Sequence, residues 1–368
     1  MLRLEARDKP SRWMVWCSPV LAIAITFAIV ALLFMLMGKD VGRGLEVFLL
    51  EPFKGQRALT ELALKATPLI LCSLGLALCF RANIFNIGAE GQFLWGAIAG
   101  GGLALWFTSN QVSVHPWLFL PLGMVAGALG GMFWAAIVAL LKDKFNANEI
   151  LVSLMLVYVA NLFLSYLVFG PWKDPQGFNF PQTMMFARET AVPRLIPGMR
   201  LHWGFVVSLL IALLMWVFMF RTFKGYQLQV GGLAPDAARY AGFSARFSLW
   251  CSLLVSGALA GMAGSFEVLG PTGQLTAHVA VGYGFTAIIV AFVARLHPIG
   301  CVLGSFLLSV MLIGGQLAQT RIGVPASFAQ VLQGVLLFSL LACDTFILYR
   351  LRWGRHAAKA ARVEAAHG

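Results

Sequence analysis

Asn83, Asn86, Glu90 and Gln92 lie together in the short run Asn83-Ile-Phe-Asn-Ile-Gly-Ala-Glu-Gly-Gln92, between two hydrophobic stretches each long enough to enter a bilayer. Two amides, a carboxylate and a third amide at that density form a hydrogen-bonding set. They can serve the hydroxyl or amide groups of a solute, with Phe85, Phe93, Trp95 and Tyr283 as rings to stack on. The other reading is structural, with Asn86 and Glu90 holding a broken helix together. Lys65 interrupts a neighbouring apolar run and either snorkels to the interface or lines a path. Enzyme constellations are missing from the sequence: it spells no His-Glu-x-x-His, no Gly-x-Ser-x-Gly and no P-loop, and its six His are dispersed.

The surrounding composition fixes what must position these groups. The 368 residues are 60% hydrophobic and 11% charged, against roughly 45–50% and about 25% in soluble proteins. An all-α polytopic membrane protein is expected. Its net charge of +12 falls mainly between apolar runs, where anionic headgroups of membrane lipid account for it better than nucleic acid does. The six Cys sit in or beside apolar runs without a Cys-x-x-Cys, and read as small hydrophobes. No bound metal or cofactor is expected.

Hydropathy predicts about ten transmembrane helices, near 17–37, 59–80, 92–107, 117–141, 150–169, 203–220, 247–269, 282–294, 299–317 and 328–349. The first is read as an uncleaved span. Residues 1–58 form an N-terminal tail, that first span and an interfacial loop; 59–348 form the core; 349–368 form a basic tail. The polar insert 81–93 cannot face hydrocarbon, because unpaired polar groups there cost several kcal/mol each. Closely spaced prolines between Pro171 and Pro197 mark 170–202 as a loop outside the membrane. Residues 270–284 are too apolar for a loop and too Gly-broken for a span, which suggests a short or re-entrant helix, and the helix after them is itself short. Within 221–246, Pro235 suits a first helical position, Asp236 a first turn and Gly242 a stop, so a short helix outside the bilayer is expected.

With the N-terminus inside, ten spans put 17 Lys and Arg on the cytoplasmic side and 9 on the other, which favours cytoplasmic N- and C-termini. Spans two to five and seven to ten form two four-helix blocks that enter from opposite sides, as inverted repeats do. Paired mid-helix carboxylates, expected of an ion-coupled carrier, are missing: Glu149, Glu267 and Asp344 lie near span ends.

Three stretches carry a resemblance: Asn83 to Gln92, Gly225-Tyr-Gln-Leu-Gln-Val-Gly-Gly-Leu-Ala-Pro-Asp-Ala-Ala-Arg-Tyr-Ala-Gly242, and Gly282-Tyr-Gly-Phe-Thr-Ala-Ile-Ile-Val-Ala-Phe292. Over roughly residues 55–348 the chain resembles permease subunits of bacterial ABC importers in the branched-chain amino acid/ribose superfamily, nearest the nucleoside and simple-sugar branch. The resemblance implies an inner-membrane subunit that pairs with a second homologous permease, with a heterodimer favoured over a homodimer by the long N-terminal part. It implies an extracytoplasmic substrate-binding protein and cytoplasmic ATPase subunits that use ATP and Mg2+. It implies that Gly232, Pro235, Ala237, Ala238, Arg239, Tyr240 and Gly242 belong to the segment that docks on the ATPase. Where relatives place an Asn before the Pro, this chain has Ala234. On this reading Asn83, Phe85, Asn86, Glu90, Gln92 and Tyr283 lie along the substrate path. The alternative is an ion-coupled secondary transporter for a small polar solute.

Overall fold

Apolar runs of twenty or so residues become helices because a helix alone satisfies every backbone N–H and C=O inside its own segment. The computed structural model describes residues 2–6, 12–178, 180–325 and 327–353. In chain order its helices are α1 (Arg12–Leu36), α2 (Val41–Leu45), α3 (Gln56–Arg81), α4 (Ala89–Ser109), α5 (Pro116–Phe145), α6 (Glu149–Phe169), α7 (Gly204–Arg221), α8 (Phe223–Leu233), α9 (Pro235–Tyr240), α10 (Ala245–Glu267), α11 (Tyr283–Val293), α12 (Pro298–Ile322) and α13 (Phe328–Leu348). Eight of these are long and apolar enough to cross a membrane. The protein is an all-α polytopic membrane protein. The two expected spans outside the eight are α4, diluted by its glycines and Gln92, and the eleven-residue α11, too short to cross by itself. Among the described residues one pair of strands departs from the helical rule, β1 (Leu2–Ala6) running antiparallel to β2 (Tyr349–Trp353), beside two isolated bridges, Gln182 with Thr276 and Arg194 with His202. Most of the expected basic tail, with Arg355, Lys359 and Arg362, lies outside the described residues.

Two compact units emerge, 1–45 with 327–368, and 46–326. In the first, α1 packs along α13, with the rings of Phe34 and Phe328 5.2 Å apart and the buried Ser18 hydroxyl donating to Asp344. The second unit is organised around α3. Its apolar window is 94% buried against 28% for α6, so α3 is a central helix, covered on nearly every side. Beside it α10 packs on α3, and α4, α5 and α10 approach one another almost backbone to backbone. A Cβ on Gly96 would lie 2.1 Å from the Gly261 carbonyl oxygen, and one on Gly264 1.9 Å from that of Phe93. These glycines serve helix packing.

The interval after α10 departs from the expected short helix. A π-helical turn, Val268–Thr272, extends α10; Pro271 and the left-handed Gly273 (φ 68°) then end it, and 273–282 is irregular. The long loop before α7 is tied onto this connection: the N–H groups of Thr183 and Val192 donate to the carbonyls of Leu275 and Leu269, each at 3.0 Å.

Candidate functional site

The polar insert starts where α3 stops. Asn83 adopts a left-handed conformation (φ 57°), its N–H donating to the Phe80 carbonyl while that of Ile84 donates to Cys79. This is the closing turn that an Asn just past a helix end favours. The chain then runs without helix for a few residues to the start of α4. There the Asn86 amide accepts from the Gly88 N–H at 3.0 Å, pre-forming the turn that opens α4. Asn86 and Gln92 exchange amide hydrogen bonds at 3.0 and 3.2 Å, and Asn86 also donates to the Ser256 hydroxyl of α10 at 3.1 Å. Ser256 lies three turns into α10 and both amides are fully buried, so the insert folds back into the bundle.

Glu90 reaches the other broken element. One carboxylate oxygen accepts from the Gly282 N–H at 2.8 Å, and the second accepts from that of Gly284. The first N–H groups of a helix have no partner within it, so Glu90 caps α11 from α4. The approach is close: a Cβ on Gly284 would sit 2.3 Å from the Glu90 nitrogen. Tyr283, between those glycines, has its ring 5.7 Å from that of Phe93. Its hydroxyl lies 2.6 Å from the Lys65 ammonium and 3.3 Å from the Glu267 carboxylate, and Lys65 itself is 3.3 Å from Glu267. Lys65 therefore points inward. Helices α3, α4, α10 and α11 thus share a buried polar layer that runs along the bundle, its Ser256 and Glu267 contacts lying eleven residues, about 16 Å, apart on α10.

Phe85 is half-exposed beside Phe80, with rings 5.6 Å apart. Trp95 is turned away from the layer, stacked on Trp134 and Phe163 at 4.7 and 5.0 Å. Among the described residues no group of three or more His, Cys, Asp or Glu is placed to hold a metal ion.

A second region lies below the end of α3. Thr222 caps α8, accepting from the Gly225 N–H at 3.1 Å. Ala234 supplies no side-chain cap to α9, which begins on Pro235 and Asp236; Gly242 (φ 76°) closes it, with its N–H on Arg239 and that of Phe243 on Ala238. Ala238 is buried while Pro235, Arg239 and Tyr240 are exposed. Gly232 joins the two regions, since a Cβ there would lie 2.2 Å from the Arg81 carbonyl oxygen and 3.0 Å from the Asn83 nitrogen. Arg81 reinforces the joint, donating to the Leu296 carbonyl at 2.8 Å and to the Gln229 amide at 3.4 Å. A cleft of about 800 Å³ opens beside it, lined in part by Asn83, Asp143, Glu149, Asp236 and Arg239.

Sequence reasoning singled out Lys65, Glu267 and Tyr283 separately but did not join them, and it missed Ser256, Gln229 and the Gly282 and Gly284 donors. The glycines flanking Tyr283 were the available signal for a close backbone approach.

A membrane-embedded helical bundle with amide and charged side chains gathered inside it, and an exposed helical segment packed against its broken helix, has the form of a solute permease. The chain belongs to the family described as branched-chain amino acid transport system / permease component, which it matches over residues 58–341. It is 34% identical to the glucose ABC transporter permease protein of Haloferax volcanii over 95% of this chain and 93% of that one. It is 31% identical to the guanosine ABC transporter permease protein of Bacillus subtilis over 87% of this chain and 91% of that one. With the nucleoside ABC transporter permease protein NupB of Lactococcus lactis it shares 26% identity over 87% and 89% of the two chains.

Proposed function

We propose that this chain is a permease subunit of an ATP-driven importer for a nucleoside or simple sugar. The observation that carries the reading is its similarity, along nearly its whole length, to ABC permeases named for glucose and guanosine. In this reading the chain lies in a bacterial inner membrane with both termini cytoplasmic, and ten helices cross or enter the bilayer as two inverted blocks. The breaks before α4 and α11 support such a pairing, since each precedes the second helix of its block. The solute path runs past Asn83, Phe85, Asn86, Glu90, Gln92 and Tyr283. The docking segment is Gly232, Pro235, Ala238, Arg239, Tyr240 and Gly242, with Ala238 and Gly242 shaping it and Arg239 and Tyr240 presented to a cytoplasmic ATPase that uses ATP and Mg2+. A second, homologous permease completes the pathway, and an extracytoplasmic binding protein delivers the solute.

The mechanism follows from the joint at Gly232. A packed backbone contact transmits a rigid-body push, so displacement of α9 by the ATPase reaches residues 81–83 and through them the layer that Asn86 and Glu90 hold together. Proteoliposomes test the reading. Labelled guanosine or glucose is expected to accumulate only when the partner permease, ATPase, binding protein and ATP are all present. Uptake by this chain alone under an ion gradient contradicts it and favours the secondary-transporter alternative.

A further inference from the structure

The path residues named above leave Lys65 and Glu267 without a task. A charge pair inside a membrane bundle is expensive to desolvate, and an apolar pair of similar volume often serves stability as well or better. This pair is also incompletely sealed, with 17% of the Lys65 side chain and 8% of that of Glu267 exposed. The contacts converge on one point, since Lys65 Nζ and the Tyr283 hydroxyl both approach the same Glu267 oxygen, Oε1, at 3.3 Å. An ammonium has three donors, a carboxylate several acceptor positions, and a phenol one of each.

We propose that Lys65, Glu267 and Tyr283 form a subsite for a vicinal diol of the transported solute, a proposal that rests on the nucleoside or sugar reading. Adjacent hydroxyls each carry one donor and two acceptor lone pairs, so a diol donates to the Glu267 carboxylate and accepts from the Lys65 ammonium and the Tyr283 phenol. It takes the place of the internal Lys65 to Tyr283 contact, and no charge is left without a partner. Phe93, fully buried with its ring 5.7 Å from that of Tyr283, holds the phenol in place. Because Tyr283 is the first residue of the helix that Glu90 caps, an occupied subsite acts directly on the start of α11. A neutral diol suits the cluster better than an amino acid does, since a zwitterion must pull the two charges apart to meet its own.

The test uses the complete importer in proteoliposomes, with guanosine against 2′,3′-dideoxyguanosine and glucose against 1,5-anhydro-3-deoxyglucitol, the second member of each pair having no two adjacent hydroxyls, each saturating the binding protein. The wild-type importer is expected to favour the diol-bearing member of the transported pair by about 10-fold or more, the loss expected for a charge-assisted hydrogen bond. Neutralising both charges together, Lys65→Met with Glu267→Gln, avoids an orphaned buried charge and is expected to bring that preference to about 1. A double variant that slows both members of a pair equally overturns the subsite while sparing the transport reading. If that variant fails to assemble, the wild-type preference decides, and equal handling of both members overturns the subsite. Wild-type uptake of leucine but of neither pair overturns the transport reading and the subsite together.

Discussion

The buried layer and the exposed segment after α7 are built on opposite principles. In the layer, Asn86, Gln92, Glu90, Lys65, Glu267 and Tyr283 each meet a polar group of this chain, most of them on another helix. In the segment, Leu233 and Tyr240 are 85% and 96% exposed, large apolar bodies on short helices that gain nothing from folding there. A self-satisfied region is set by internal bonds and can change only as a unit. In the proposed importer the Leu233 and Tyr240 side chains meet the ATPase.

Perturbations should separate the two regions by size of effect. The largest falls in the layer: Glu90→Ala strips the acceptors from two backbone N–H groups and is expected to cost about 3 kcal/mol, at roughly 1–3 kcal/mol for each buried donor. Thermal unfolding in detergent checks it, and an unchanged midpoint would remove Glu90 as the cap of α11. Next comes the amide pair. A double-mutant cycle of Asn86→Ala and Gln92→Ala should give a coupling energy of roughly 0.5–1.5 kcal/mol, since the two share their hydrogen bonds.

The loop over the layer should respond to pH. Burial lowers the His202 pKa from 6.5 to about 4, and its neutral Nδ1 accepts from the Gly204 N–H at 3.1 Å. The unfolded chain therefore binds this proton more readily, so stability from this group is complete above about pH 6.5 and drains away as pH falls towards 4. Between pH 7 and 5.5 the loss is expected to be about 1 kcal/mol. His202→Asn should flatten that part of the stability profile, and an unchanged slope would contradict the assignment. The smallest effect on stability belongs to the exposed segment. Tyr240→Ser should change it by less than about 0.5 kcal/mol while weakening co-purification with the ATPase.

Features written locally were legible in the sequence. Pro235, Asp236 and Gly242 mark both ends of α9 because caps and stops act within one turn, and long apolar runs mark the eight spanning helices. The insert at 81–93 was visible as polar, and its Asn83 turn follows from the residue type. Its depth was not visible, because Asn86 finds Ser256 at a separation of 170 residues. The Lys65 to Glu267 contact spans 202 residues, and no spacing rule joins them. Helix α8 was missed because Gly225, Gly231 and Gly232 weaken its local signal, while the packing of Gly225 against α7 and of Gly232 against the end of α3 holds it.

The central claim is that the exposed segment drives the buried layer, and Arg239→Glu in the reconstituted importer tests it most directly. Arg239 is exposed on α9, away from the layer, so the variant should fold and insert normally. The measurement is solute imported per ATP hydrolysed. The expected result is a ratio that falls steeply while hydrolysis continues; an unchanged ratio would contradict the coupling of the two regions.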